Sequence, residues 1–353
     1  MNPSQSTSLL QARSLSIGYH VKKGAPKLIA DGLNFDLKAG ELTCLLGPNG
    51  VGKSTLIKTI MGRLPVLEGE VRLKNQLIHH YRSDALAKEL AVVLTDKIGG
   101  AQLTVEDLIA LGRTPHTNWL GRMSAEDQAK VDEAIAQTHI GYLRGSLIAE
   151  LSDGQLQKVM IARAIAQDAG ILILDEPTAH LDLVNRFEIM FLLRKIAKES
   201  KKAILVVTHD LEIALETADQ FWLMTCGVPL IKGLPEDLVC SGAINQLLPG
   251  KELFFDAAKG KVKLQAPADD FPIQGNSTKA QWLAHALVKN GLKFPIGVTI
   301  EATEQGFLWK EEGKVMRGFD EIGEVLDWCG KDERGRMKDE SPNIHRSRRK
   351  IGR

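Results

Sequence analysis

Nine consecutive residues, Gly47-Pro48-Asn49-Gly50-Val51-Gly52-Lys53-Ser54-Thr55, place three glycines beside a lysine and two hydroxyls. Glycines let a backbone wrap closely with its N–H groups turned inward, which suits an anion. Lys53 can then reach the β- and γ-phosphates of a nucleotide, Ser54 can bind Mg²⁺, and Thr55 can bond the α-phosphate. A second pair, Asp175 and Glu176, ends the apolar run Ile171-Leu172-Ile173-Leu174. A carboxylate there can meet Mg²⁺ directly or through water, because hard cations prefer oxygen ligands. The other can polarise an attacking water. Phosphoryl transfer needs positioning and charge neutralisation more than covalent chemistry, so the two clusters together predict binding and hydrolysis of ATP.

The elements around these residues must place them at strand ends. Leu42–Leu46 reads as a buried strand leading into the glycine loop, and Leu56, Ile57, Ile60 and Met61 follow at helical spacing. A strand before and a helix after are the context that separates a phosphate loop from a chance glycine-rich turn. Ser14–Tyr19 alternates as a half-buried strand does, and residues 68–78 read as a strand pair. Charged helical patterns cover 83–90, 104–112 and 124–140, and a helix runs from Leu151 to Gln167. Strand Ile171–Leu174, helix Leu183–Lys198, strand Ala203–Thr208 and helix Leu211–Ala218 then alternate. That alternation predicts an α/β fold with a largely parallel sheet covered on both faces.

Composition narrows the function classes. With Lys+Arg 45 against Asp+Glu 44 the net charge is +1, so no bulk field draws the chain to nucleic acid. Aromatics at 5 % argue against base-stacking platforms. Cys44, Cys226, Cys240 and Cys329 are scattered without a CxxC pair, which fits a reducing compartment better than a disulfide framework or zinc site. The first fifteen residues do not read as a signal peptide, and the longest apolar runs are strand-sized. A membrane role would therefore run through a partner.

Three further segments complete an ordered series: Leu151-Ser152-Asp153-Gly154-Gln155, Ala179-His180-Leu181-Asp182, and Val206-Val207-Thr208-His209-Asp210. With them the chain, over about residues 11–240, resembles the ATP-binding cassette (ABC) ATPases. The resemblance implies a P-loop cassette with a mixed or parallel core, antiparallel β and helical subdomains (the latter about 86–165), and ATP and Mg²⁺ as ligands. It implies a head-to-tail homodimer, in which Ser152, Gly154 and Gln155 of one subunit face the γ-phosphate held by the Gly47–Thr55 loop of the other. A serine hydroxyl at a helix start suits that task. By the same resemblance Asp182 links the two sites, Glu176 and His209 serve catalysis, Asp175 and Ser54 hold the metal, and Tyr19 stacks on adenine. A structural histidine after a strand and a half-buried strand tyrosine are the plainer readings of His209 and Tyr19.

Two positions depart from the family pattern. Asp153 stands where glycine is usual, and aspartate begins a helix well. Asp96 falls where the family has a metal-bridging glutamine; its oxygen can meet Mg²⁺, but an ionised carboxylate donates no hydrogen bond. Gln102 is an alternative with less natural spacing.

Thr104-Val105-Glu106-Asp107-Leu108-Ile109-Ala110-Leu111-Gly112-Arg113-Thr114-Pro115-His116 is similar to a segment of iron-siderophore, haem and cobalamin importers, as is Pro177-Thr178-Ala179-His180-Leu181-Asp182. A surface helix of the helical subdomain is the plainer reading of the first. The resemblance implies the type II importer group. Its ATPase dimer works from the cytoplasmic side of the inner membrane, peripheral to two permease subunits, with a substrate-binding protein as an indirect partner and no nucleic acid. One cassette with no long insertion fits this better than a soluble ABC ATPase of translation or DNA repair, and Glu176 with His209 argues against a non-enzymatic nucleotide-binding module. Residues 1–10 read as flexible. Residues 241–343 form a C-terminal extension with a small α+β unit at about 265–330, regulatory, dimer-stabilising or a plain cap. Residues 344–353 are a basic tail, which reads as solvated or as touching anionic lipid.

Overall fold

The computed structural model describes residues 7–20, 25–94, 102–117, 121–248, 250, 253–264, 272–275, 277–292 and 297–329. Asp96 and the 344–353 tail lie outside the described residues.

Strand β1 (Ser8–Tyr19) pairs antiparallel with β2 (Lys27–Lys38) and with β4 (Glu68–Leu73), and β5 (Gln76–Leu77) extends that sheet in the order β2-β1-β4-β5. Beginning at Ser8, β1 takes in part of the segment expected to be loose. The alternation expected over Ser14–Tyr19 does not hold, because Ser16 and Gly18 are buried along with Leu15 and Ile17. The pairing shifts register three times between Ala12 and Gly18. Gly18 lies so close to β2 that a Cβ there would come within 2.1 Å of the Lys27 carbonyl oxygen.

The second sheet carries the chemistry. Its strands are β3 (Leu42–Leu46), β6 (Leu90–Val93), β7 (Ile171–Asp175), β8 (Ala203–Val207), β9 (Gln220–Leu223) and β10 (Ile231–Gly233), in the order β10-β9-β3-β8-β7-β6. All pairings are parallel except β9 with β10. Both faces are covered, which is why β3, β7 and β8 read as nearly continuous apolar runs, with only Thr43 and the terminal Asp175 polar. Leu42, Cys44, Leu172, Leu174, Ile204 and Val206 belong to one core, and Leu45, Ile171, Ile173, Leu205 and Val207 to the other. Helix α1 (Lys53–Ile60) packs with the antiparallel sheet in the second core.

The first core also takes α3 (Val105–Ala110), α4 (Ala125–Gln137), α5 (Asp153–Ala166), α6 (Leu183–Ser200) and α7 (Leu211–Thr217). The short α2 (Ser83–Glu89) precedes β6, and α8 (Pro235–Cys240) follows β10. Strands β11 (Leu253–Asp256) and β12 (Lys261–Leu264) pair with each other. Helices α3, α4 and α5 start at side-chain caps, Thr104, Ser124 and Ser152, each in a reciprocal capping box.

The chain divides into two compact units between Lys263 and Leu264. The second has its own sheet, β13 (Ile273–Gly275), β14 (Val298–Ala302), β15 (Phe307–Glu311) and β16 (Lys314–Phe319), with β13 parallel to β14 and the rest antiparallel. Helices α9 (Ser277–Lys289) and α10 (Ile322–Cys329) close over Ile300, Phe307 and Trp309 with Leu283, Leu287 and Val325. Among the described residues no helix is long and apolar enough to cross a membrane.

Candidate functional site

The glycine loop leaves the end of β3 and enters α1 through Gly52, whose φ of 115° is open to glycine and rare for other residues. Packing adds a second constraint. A Cβ on Gly52 would sit 2.5 Å from Ile29 Cγ2, and one on Gly47 would sit 2.2 Å from the Met224 carbonyl oxygen. Gly52 is therefore fixed by crowding as well as by turn geometry, and Gly47 by crowding alone, since both Cβ positions would run into the neighbouring protein. Lys53 is buried and donates from Nζ to the carbonyls of Gly47 and Pro48, at 2.6 and 3.0 Å. Burial pulls its ammonium pKa below the ordinary lysine value, against the opposing pull of the Glu176 and Asp175 carboxylates. The Tyr19 hydroxyl lies 3.0 Å from Thr55 Oγ1, which sets a partly exposed ring against the start of α1.

Strand β7 delivers Asp175 half-buried at its C-terminal end. Burial raises its pKa above the ordinary carboxylate value, and Lys53 and Lys58 act against that rise. The next residue, Glu176, has φ 50°, a left-handed conformation for a residue with a side chain. Such a position costs about 1–3 kcal/mol and persists only where surroundings hold it. Here the Glu176 backbone N–H donates to the Val207 carbonyl at 2.9 Å, at the end of β8. The turn brings Glu176 Oε2 to 2.8 Å from His209 Nδ1. Sequence separates these two by 33 residues; the parallel pairing of β7 with β8 places them side by side.

The segment Ser152–Gln155 opens α5. Ser152 Oγ accepts the Gln155 backbone N–H at 3.3 Å, and Gln155 Oε1 accepts the Ser152 backbone N–H at 3.0 Å. Among the described residues the serine O–H and the glutamine amide N–H donate to no other group, which suits an anion at a helix N-terminus. Asp153 sits in the first turn of α5, so aspartate in place of the usual glycine starts the helix without disturbing the cap. Among the described residues no hydrogen bond joins this segment to the glycine loop. It neighbours Asp182 instead, which caps α6, with Asn185 lying between them. Gln102 is exposed.

The importer-like segment has an internal reason for its residues. A Cβ on Gly112 would meet the Arg163 carbonyl oxygen at 2.2 Å, so only glycine allows this approach to α5. Arg113 is buried, pairs through Nε with Asp127 Oδ1 at 2.9 Å, and donates from Nη1 to the Ala166 carbonyl at 2.8 Å. His116 Nε2 lies 2.9 Å from the Gln167 carbonyl oxygen. These residues lock α3 and α4 to the C-terminal half of α5.

Ser54, exposed at the start of α1, and Asp175 are oxygen donors of the kind a hard divalent cation takes. Among the described residues no group of three or more His, Cys, Asp or Glu could hold a metal. A cation here would draw its remaining ligands from phosphate oxygens and water.

Residues 30–179 match the model of the ABC transporter family. An uncharacterized ABC transporter ATP-binding protein of Methanocaldococcus jannaschii is 38 % identical over 82 % of this chain and 99 % of its own length. The iron(3+)-hydroxamate import ATP-binding protein FhuC of Bacillus subtilis is 34 % identical over 67 % of this chain and 87 % of its own. The dimeric structure of the bacterial ABC transporter cassette MJ0796 superposes with a TM-score of 0.55 at 26 % identity, covering 64 % of this chain and 98 % of that one.

Proposed function

This chain belongs to the ABC transporter ATP-binding proteins, and we propose that it powers uptake of an iron–siderophore complex, haem or cobalamin through a separate permease dimer. It is an ATPase of the importer group. The observation that carries the mechanism is the Glu176–His209 contact at the ends of β7 and β8, with β8 paired in parallel to β3, whose end leads into the glycine loop and Lys53.

The Gly47–Thr55 backbone and α1 N-terminus hold the triphosphate, and Lys53 turns from its own loop carbonyls to the β- and γ-phosphates. Ser54 and Asp175 would hold Mg²⁺, which neutralises charge on the phosphates. Glu176 orients and polarises the attacking water. His209, fixed by Glu176, faces the γ-phosphate. Tyr19 carries the adenine. Ser152, Gly154 and Gln155 complete the site from a second copy, and Asp182 links the two sites. ATP binding then closes the dimer and pushes on the permease, because the closed state binds ATP more tightly than the open one. The protein sits peripherally on the cytoplasmic side of the inner membrane, and the substrate-binding protein reaches it only through the permease. FhuC, with its iron-hydroxamate import role, supports this reading over a soluble process such as translation or DNA repair.

The test is uptake by a deletion strain carrying or lacking this chain, with a ferric hydroxamate siderophore, haem and cobalamin as separate cargoes. Uptake of one of the three should depend on the chain. Unchanged uptake of all three would overturn the cargo class.

A further inference from the structure

The first turn of α6 ties together three segments that carry the nucleotide chemistry. Asp182 accepts the Asn185 backbone N–H at 2.9 Å, and the Asn185 side-chain amide donates to its other oxygen at 2.7 Å. The Asn185 side chain also packs on the opening of α5, where a Cβ on Gly154 would lie 2.9 Å from Asn185 Oδ1. Arg186 reaches the opposite way. Its Nε donates to the Leu181 carbonyl at 2.7 Å, and its Nη1 donates to Asp210 Oδ2 at 3.3 Å. Asp210 is the neighbour of His209. Its backbone N–H donates to Thr208 Oγ1 at 3.0 Å, and its Oδ1 accepts the Ile213 N–H at 3.4 Å at the start of α7. Both residues flanking His209 are thereby held, and one hold runs through Arg186 to the carbonyl just before Asp182.

We propose that Arg186 is a positioning residue that couples the Asp182 turn to His209, so that a second copy pressing on that turn sets the Glu176–His209 pair. The proposal rests on the reading above that Asp182 faces the partner subunit. A guanidinium is a rigid planar fork, so two acceptors on different loops cannot separate while both stay bonded to it. Arg186 is 39 % exposed at its side chain, and a pair that exposed contributes little to folding. Its measurable consequence is therefore geometry at His209 rather than stability. Asn185 acts beside it, bracing the same turn against Gly154.

The experiment uses the full-length protein as Arg186→Gln, Asp210→Asn and the double variant. Glutamine keeps an N–H donor for the Leu181 carbonyl and loses the charge facing Asp210, while asparagine still caps α7. We read kcat and KM for ATP, affinity for a fluorescent ATP analogue, and the melting temperature. Each single variant should lose about tenfold in kcat with affinity within about twofold and melting unchanged, as expected for loss of alignment alone. The double variant should lose no more than the worse single one, because both changes cut one connection. Wild-type kcat in Arg186→Gln, losses that multiply in the double variant, or a tenfold loss of affinity would each overturn the coupling. Should Arg186→Gln fold poorly, Arg186→Lys is read by the same split. Failure of the functional reading is visible separately, as a wild-type chain that does not turn over ATP.

Discussion

Replacing Arg113 by alanine should destabilise the helical subdomain more than any surface change in it. The Arg113 side chain is 5 % exposed and that of Asp127 8 %, so removing the guanidinium leaves a carboxylate buried beside a new void. Breaking a buried pair by removing one partner typically costs about 3–5 kcal/mol, a large share of a domain's net stability. The Ala166 carbonyl also loses its donor. Asp127 would keep its other contacts, the Ser124 backbone N–H at 2.9 Å and the Ser124 hydroxyl at 2.7 Å. Those contacts come first, with the Arg113 guanidinium adding to them, in holding the Asp127 pKa down to about 2. The sign follows directly. A carboxyl depressed below its unfolded value of 3.8 contributes stability that is full above that value and is lost as pH falls through about 2. Without Arg113 the depression shrinks, so acid unfolding should begin at a higher pH. Native-state hydrogen exchange of α3, α4 and α5 amides, run across pH, is the assay. The double variant Arg113→Met with Asp127→Asn removes both charges and keeps an acceptor for Ser124, and it should recover much of the loss. Exchange in Arg113→Ala that matches wild type, or a double variant no better than the single one, would refute the reasoning.

Lys53→Ala removes the ammonium aimed at the phosphates, and nucleotide affinity should fall about tenfold or more, read by equilibrium binding of a fluorescent ATP analogue; unchanged affinity would remove Lys53 from the site. Gly47→Ala forces a Cβ to within 2.2 Å of the Met224 carbonyl unless the loop shifts by about 1 Å, and such a shift should lower kcat/KM for ATP about a hundredfold. Melting temperature should fall only modestly in that variant, because the crowding is local to the loop.

The glycine loop was legible in the sequence because its signal is local: strand, turn glycines, Lys53, Ser54 and helix follow within twenty residues. Asp175 was legible for the same reason, as the end of an apolar strand. The left-handed turn at Glu176 and its bond to His209 were not, since they depend on β7 and β8 lying side by side. Nor did periodicity reveal the shifting register of β1, where buried Ser16 and Gly18 answer to strand pairing rather than to side-chain polarity. Strands β6 and β9 do not stand out in the sequence: Leu90 follows α2 with no turn between them, and β9 opens on Gln220 within a mixed polar and aromatic stretch. The segment Gly112-Arg113-Thr114-Pro115-His116 was seen as a resemblance, and its physical reason, three contacts onto α5 and its C-terminal end, lay in tertiary structure. Asn185 and Arg186 belong to no motif, although Asn185 follows Asp182 at the spacing of a helix cap.

The central claim is that Glu176, bent back by its left-handed turn onto His209, prepares the water that attacks ATP. Glu176→Gln keeps the shape and removes the charge. Measured by phosphate release and by gel filtration with ATP, it should lower turnover about 10²–10⁴-fold while ATP binding persists and a stable ATP-loaded dimer accumulates. Turnover near the wild-type rate, with no such dimer, would contradict the account.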